Sequence, residues 1–174
     1  MKATPRLAIS IPDDDLKRIG LRAVSMIRDR TLRGVGADGA PFKPYSTQPF
    51  ALPLGAITKR AQRALGDDMK IITSKRSGAL WAVITGGYAA LKDAAYPQYG
   101  GVVNLSRTGA MLRALTVIGV NGSGQVTIRI GFAREEEAQK ALWNDARGRR
   151  ILGFTQEERT DLAGAAARVI QIRT

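Results

Sequence analysis

Eight glycines and prolines fall between positions 34 and 55: Gly34, Gly36, Gly39, Pro41, Pro44, Pro49, Pro53 and Gly55. Proline lacks a backbone donor and blocks a helix interior, and glycine weakens helix and strand alike. No regular helix or central strand can therefore run through this stretch. Phe42, Tyr45, Phe50, Leu52 and Leu54 sit among the breakers, too apolar a set for a flexible linker. Two placements keep them from water. One is an extended arm over 34–66 that docks on a neighbouring subunit; the other is a long ordered loop packed on its own domain. A short helix over 57–65, with Lys59, Arg60 and Arg63 exposed, closes the segment.

Ahead of the breakers, Pro12-Asp13-Asp14-Asp15 supplies an Asx cap and acidic first-turn residues, which suit the positive end of a helix. Leu16, Ile19, Ala23 and Ile27 recur at helical spacing until Gly34 and Gly36, which predicts a helix over 13–33. Arg18, Arg22, Arg28 and Arg33 lie mostly off that stripe. They read either as a solvated face or as a basic face turned to an acidic partner or to DNA.

Beyond the breakers, 80–84 is a short apolar run ended by Gly86-Gly87. Segments 114–120 and 125–132 flank Asn121-Gly122-Ser123-Gly124, and Val126, Ile128, Ile130 and Phe132 alternate with Thr127, Arg129 and Gly131, which predicts a hairpin. Thr108 is placed to cap a short helix ending at 115. Glu135-Glu136-Glu137 opens a helix over 134–146, and Thr155-Gln156-Glu157-Glu158 is a capping box before a last helix. The expected fold is α+β, a single domain over 1–174 in which a small antiparallel sheet packs with N- and C-terminal helices, with 34–66 as the extended arm or long loop. Its expected core is Val117, Val126, Ile128, Ile130, Ile19, Ala23, Ile27, Leu162 and Ala166.

Composition narrows the chemistry. Histidine and cysteine are absent, so the chain alone builds no disulfide, no Cys/His zinc site, no Ser-His-Asp triad and no cysteine nucleophile. Asp13-Asp14-Asp15 and Asp67-Asp68 read as helix-end acids rather than metal ligands. The glycines at 119–124 lack the Lys-Ser/Thr of a phosphate loop. No catalytic, cofactor or metal residue is expected. Met1-Lys2-Ala3-Thr4-Pro5-Arg6 has no apolar stretch of the secretory kind, and no run is long enough to span a membrane, so a soluble protein is expected. The 27 Lys and Arg against 15 Asp and Glu give +12, weighted to the first third of the chain. Such a balance favours a polyanion or an acidic protein surface as partner, or serves solubility. Arg147, Arg149 and Arg150 form a basic turn able to clamp a carboxylate or phosphate, or to pair with Glu135-Glu136-Glu137 and Glu157-Glu158 on the same or another subunit.

Four segments carry a resemblance. Asp38-Gly39-Ala40-Pro41-Phe42-Lys43-Pro44-Tyr45-Ser46, Gly87-Tyr88-Ala89-Ala90-Leu91-Lys92, residues 103–115 from Val103-Asn104-Leu105 through Thr108-Gly109 to Met111-Leu112, and the closing region of Ala133 to Trp143 with Arg149-Arg150-Ile151-Leu152-Gly153-Phe154-Thr155 resemble, in the same order, elements of Mu-like tailed-phage virion-morphogenesis and tail-completion proteins. Many of those relatives carry a His-Gln-Gly element after the second strand, where this chain has Arg134-Glu135-Glu136-Glu137. The resemblance implies a non-enzymatic role at the head–tail neck of the virion, after assembly in the host cytoplasm. It implies a homo-oligomeric ring, a hexamer favoured over a dodecamer, that terminates the tail or joins it to the connector. Partners would be the portal or head-closure protein, the tail tube protein and genomic DNA passing through the lumen, with no membrane and no cofactor. Phe42, Tyr45, Phe50, Leu52, Arg147, Arg149 and Arg150 are the expected partner-binding residues, and Arg18, Arg22, Arg28 and Arg33 the candidates for an acidic partner or the DNA lumen. The alternative is a basic nucleic-acid-binding protein acting in DNA packaging or condensation.

Overall fold

A computed structural model describes residues 8–99, 101–105, 109–122 and 126–173. The opening hexapeptide, the Thr108 cap and the Ser123-Gly124-Gln125 part of the hairpin turn lie outside the described residues. Numbered in chain order, the strands are β1 (Ala8–Ser10), β2 (Phe50–Pro53), β3 (Met69–Thr73), β4 (Leu80–Ile84), β5 (Leu115–Asn121), β6 (Thr127–Phe132) and β7 (Gln171–Arg173). The helices are α1 (Asp13–Leu32), α2 (Lys59–Leu65), α3 (Gly87–Ala95), α4 (Ala110–Ala114), α5 (Glu135–Asp145) and α6 (Gln156–Ala167). The fold is α+β, with small antiparallel sheets. Where one domain was expected, the chain forms two compact units: Met1–Phe42 together with Leu105–Thr174, and the continuous stretch Lys43–Asn104.

In the first unit α1 opens with Asp13, Asp14 and Asp15 in its first turn and buries Leu16, Ala23, Val24 and Ile27. The stripe meets the antiparallel β5–β6 hairpin, whose register shifts between Val117 and Gly119. The approach is close at Gly20, where a Cβ would sit 2.6 Å from Val117 Cγ2 and 2.9 Å from Ile128 Cγ2. The core holds Val24, Ile27, Met111, Leu112, Leu115, Ala141 and Ile151, with Val117, Ile130, Phe132 and Phe154 packed on it half-buried. Of the expected core, only Ala23 and Ile27 are fully buried; Ile19, Val117, Val126, Ile128, Ile130, Leu162 and Ala166 are half-buried. A two-stranded hairpin covers one side of the core and leaves its own residues partly open, so α4, α5 and Ile151 complete the interior. The last helix, α6, lies against α1, and α5 packs on α4 and β6. The backbone of β1 pairs antiparallel with β7, Ala8 opposite Arg173. The position before α4 is Gly109, and α6 has the expected capping box: Thr155 accepts from the Glu158 N–H while Glu158 accepts from the Thr155 N–H.

The second unit is the sheet β2–β4–β3, antiparallel throughout, with Phe50 opposite Ile84 and Met69 also opposite Ile84. Ile57, Ala61, Leu65, Ala82, Ile84 and Leu91 form its core, against which Phe50, Leu52, Leu54, Met69 and Tyr88 pack. Gly87, the first residue of α3, has φ +71°, and a Cβ there would run into the Ser46–Thr47 backbone. Only glycine allows Ala89 N–H to donate to the Ser46 carbonyl at 3.1 Å with the chain this close.

The arm over 34–66 is corrected by this arrangement. Val35 bridges Pro41, Gly36 N–H donates to the Ala40 carbonyl at 2.8 Å, and Phe42 is buried to 6% exposure within the first unit. Phe50, Leu52 and Leu54 pack inside the second. The breakers forbid a central strand but not an edge strand ending in proline, which is what β2 is, with Pro53 opposite Trp81. The apolar side chains leave water within their own chain, so no neighbour is required to cover them.

Candidate partner-binding surfaces

The residues expected at partners divide by what already holds them. Phe42 is withdrawn into the first unit. Tyr45 stacks edge-to-face on Tyr88, with ring centroids 5.1 Å apart, and Phe50 lies against the same ring at 6.1 Å. Leu52 packs in the second core. Tyr45 also forms one wall around Lys92, whose Nζ lies 5.7 Å from its ring centroid, 4.8 Å from Tyr96 and 5.9 Å from Tyr99. This ammonium, 5% exposed, donates to Asn104 Oδ1 at 3.2 Å, so a buried cation is held by π faces and an amide. Lys92, Tyr96 and Tyr99 stand at i, i+4 and i+7, a spacing visible in the sequence.

On α1 the arginines have separate duties. Arg18 pairs with Asp15, and the hydrogen bond, then the charge, of that carboxylate raises the guanidinium pKa above its ordinary value. Arg22 grips Asp161 of α6 with two bonds of 2.7 and 2.6 Å. Arg28 donates to the carbonyls of Leu112, Arg113 and Leu115 at 2.8, 3.1 and 2.6 Å, satisfying the open C-terminus of α4. Arg22 and Arg28 thus tie elements of the first unit together, Arg22 with about half of its side chain, 51%, still exposed. Arg33 is exposed and lines an open groove of about 720 Å³ with Asp29, Glu157 and Asp161.

Arg30, which the sequence reading passed over, is the buried member of α1. At 2% exposure it pairs with Glu158 and donates to the carbonyls of Ile151 at 2.8 Å and Gly153 at 3.2 Å. Its signal was its place on the stripe, three residues after Ile27. In the basic turn, Arg150 pairs with Asp145 at 3.3 Å and Arg147 donates to the Trp143 carbonyl at 3.1 Å. Arg149 is half-buried, its N–H bonded to the Asn144 carbonyl at 2.9 Å. Three of the five glutamates expected to face this turn are engaged elsewhere: Glu158 by Arg30, Glu137 by Lys140 and Arg134, and Glu136 by Arg134.

The first unit therefore spends most of its described arginines on its own acids and carbonyls. In the second, Lys59, Arg60 and Arg63 on α2, and Lys70, Lys75 and Arg76 on β3 and the turn after it, are all exposed, and none forms an ion pair among the described residues. Among the described residues no three acidic side chains converge as a metal site. No helix there is long and apolar enough to cross a membrane. Compared with known proteins, the chain matches no family model, no curated protein and no solved structure.

Proposed function

We propose that the chain is a non-catalytic structural subunit of a tailed-phage virion, placed at the head–tail neck, where it assembles as a ring that terminates the tail or joins it to the connector. One observation carries the reading: the four segments at 38–46, 87–92, 103–115 and 149–155 occur in the family's order along one chain. Their described residues support it by what they do locally. Asp38 Oδ1 accepts from the Ala40 N–H at 3.0 Å in the turn that returns Phe42 to the first unit. Gly87 and Ser46 join α3 to the chain before β2, and Ile151 and Gly153 supply carbonyls to Arg30. Segments that fix turns and carbonyl contacts within each unit suit a structural component. A basic nucleic-acid-binding protein is the second reading, favoured by Lys59, Arg60, Arg63, Lys70, Lys75 and Arg76, exposed and without an ion pair among the described residues.

Light scattering on the purified chain, negative-stain microscopy and DNA binding across a salt series separate the two. The neck reading expects a closed ring with weak DNA binding. A monomer whose affinity falls steeply with salt overturns it in favour of the second.

A further inference from the structure

The sheet of the second unit ends at β3, which has β4 on one side and no strand on the other. Its inner side can be read from its ends. Thr85 N–H donates to the Asp68 carbonyl and Ser74 N–H to the Ala79 carbonyl, both at 2.9 Å, so the even-numbered residues turn their backbone groups to β4. Met69, Ile71 and Thr73 therefore aim theirs outward along the open edge. Natural edges are guarded by proline, bulges or charge. The opposite edge, β2, ends at Pro53, whereas β3 runs five residues in unbroken register with Lys70 as its one charge. Both faces of this edge carry an open apolar side chain: Ile71, opposite Ala82, is 55% exposed, and Ile72, opposite Trp81, 48%. The charges are sorted along it. Asp67 and Asp68 precede β3 and Lys75 and Arg76 follow it, all four exposed.

We propose that two copies of this chain pair β3 to β3, antiparallel about a two-fold axis at Ile71, and so continue the sheet of one copy into the other. In this register Ile71 faces its own mate and Met69 faces Thr73 of the second copy, so the outward N–H and C=O groups of all three residues bond in reciprocal pairs. Ile72 lies across from Lys70 of the second copy, whose aliphatic stem covers it. The sorted charges select a second copy over a uniformly acidic or basic strand: Asp67 falls at the end that carries Lys75 of the second copy, twice by symmetry. A parallel pairing would set acid beside acid and base beside base. The two Lys70 side chains stand on a diagonal, where long ammonium groups turn to water. A two-fold contact does not close a ring, whose contacts run head-to-tail, so the pairing is independent of the neck reading.

Sedimentation of the full chain across a concentration series tests the pairing, and cross-linking tests its register. The prevailing species of the unaltered chain, single or ring, should double in mass as concentration rises. Ile71→Lys, an exposed change that sets two ammonium groups face to face on the axis, should weaken the doubling at least about tenfold while melting near the parent. Lys75→Glu should weaken it about fivefold, and adding Asp67→Lys to that variant, which exchanges the two charges, should restore it. The chain has no cysteine, so Lys70→Cys with Ile72→Cys reports the register alone. Those positions face each other across the axis as a non-hydrogen-bonded pair, with Cα atoms about 4.5 Å apart and within disulfide reach. Mild oxidation should therefore give a covalent dimer joining position 70 of one copy to position 72 of the other. An unaltered chain that never doubles leaves the edge to a strand of another protein and overturns the proposal. Undiminished doubling in Ile71→Lys, or no disulfide between 70 and 72 of different copies, overturns it equally.

Discussion

Removing Arg30 would strand the Glu158 carboxylate and leave the Ile151 and Gly153 carbonyls without their donor. Breaking one partner of a buried ion pair costs about 3–5 kcal/mol, so Arg30→Ala should lower the urea midpoint strongly. Arg18→Ala, which loses only an exposed pair with Asp15, should stay within about 0.5 kcal/mol of the parent. Comparable midpoints for the two variants would show that Arg30 is not the tie described. The sequence distinguishes these arginines poorly, and the reason is distance along the chain. A helical pattern exposes pairs three or four apart, such as Arg18 with Asp15. It is silent on Arg30 with Glu158, 128 residues away, and Arg22 with Asp161, 139 away.

Elements with their own punctuation were the legible ones. Three aspartates begin α1, Thr155 and Glu158 cap α6 reciprocally, and alternating Val126, Ile128, Ile130 and Phe132 mark the hairpin. β3 and α3 carried no such signs. α3 has no side-chain cap, and β3 is mostly exposed and takes its identity from pairing with β4. The core assignment named residues that are buried or half-buried but missed α4, α5 and Ile151, for a related reason: alternation says which strand face is inward but not how completely it is covered. The helix–hairpin contact gives a sharper test. Gly20→Ala gains helix propensity of about 1 kcal/mol but forces its methyl against Val117 and Ile128, and overpacking costs about 1–3 kcal/mol. The single variant should be neutral to about 2 kcal/mol destabilised, and relative to Val117→Ala the same change should become stabilising. Additive effects across that double-mutant cycle would mean that the two residues do not touch.

For the whole molecule the question is where unpaired charge goes when copies meet. Subunits of +12 repel one another, with screening over about 8–10 Å, so a ring of them needs basic groups matched to acids or to DNA. In the ring proposed here the 147–150 turn remains the candidate contact. Arg150→Glu gives up the exposed Arg150–Asp145 pair, worth about 0–1 kcal/mol, so the variant should melt near the parent yet run as a smaller species in light scattering. Rings of normal size from it would make the turn an ordinary solvated surface. The division into two units was hidden from the sequence because Phe42-Lys43-Pro44 marks no change of composition at the boundary. That division has a consequence in time. A ribosome delivers Lys43–Asn104 whole before Leu105 emerges, and the core of this stretch is drawn from its own residues. By then Val24 and Ile27 have been synthesised, but Met111, Leu115 and Ile151 have not, and β1 waits for β7, the last of the described strands. The unit that starts first is therefore the last to fold, and until then its α1 stripe is the surface most in need of a chaperone.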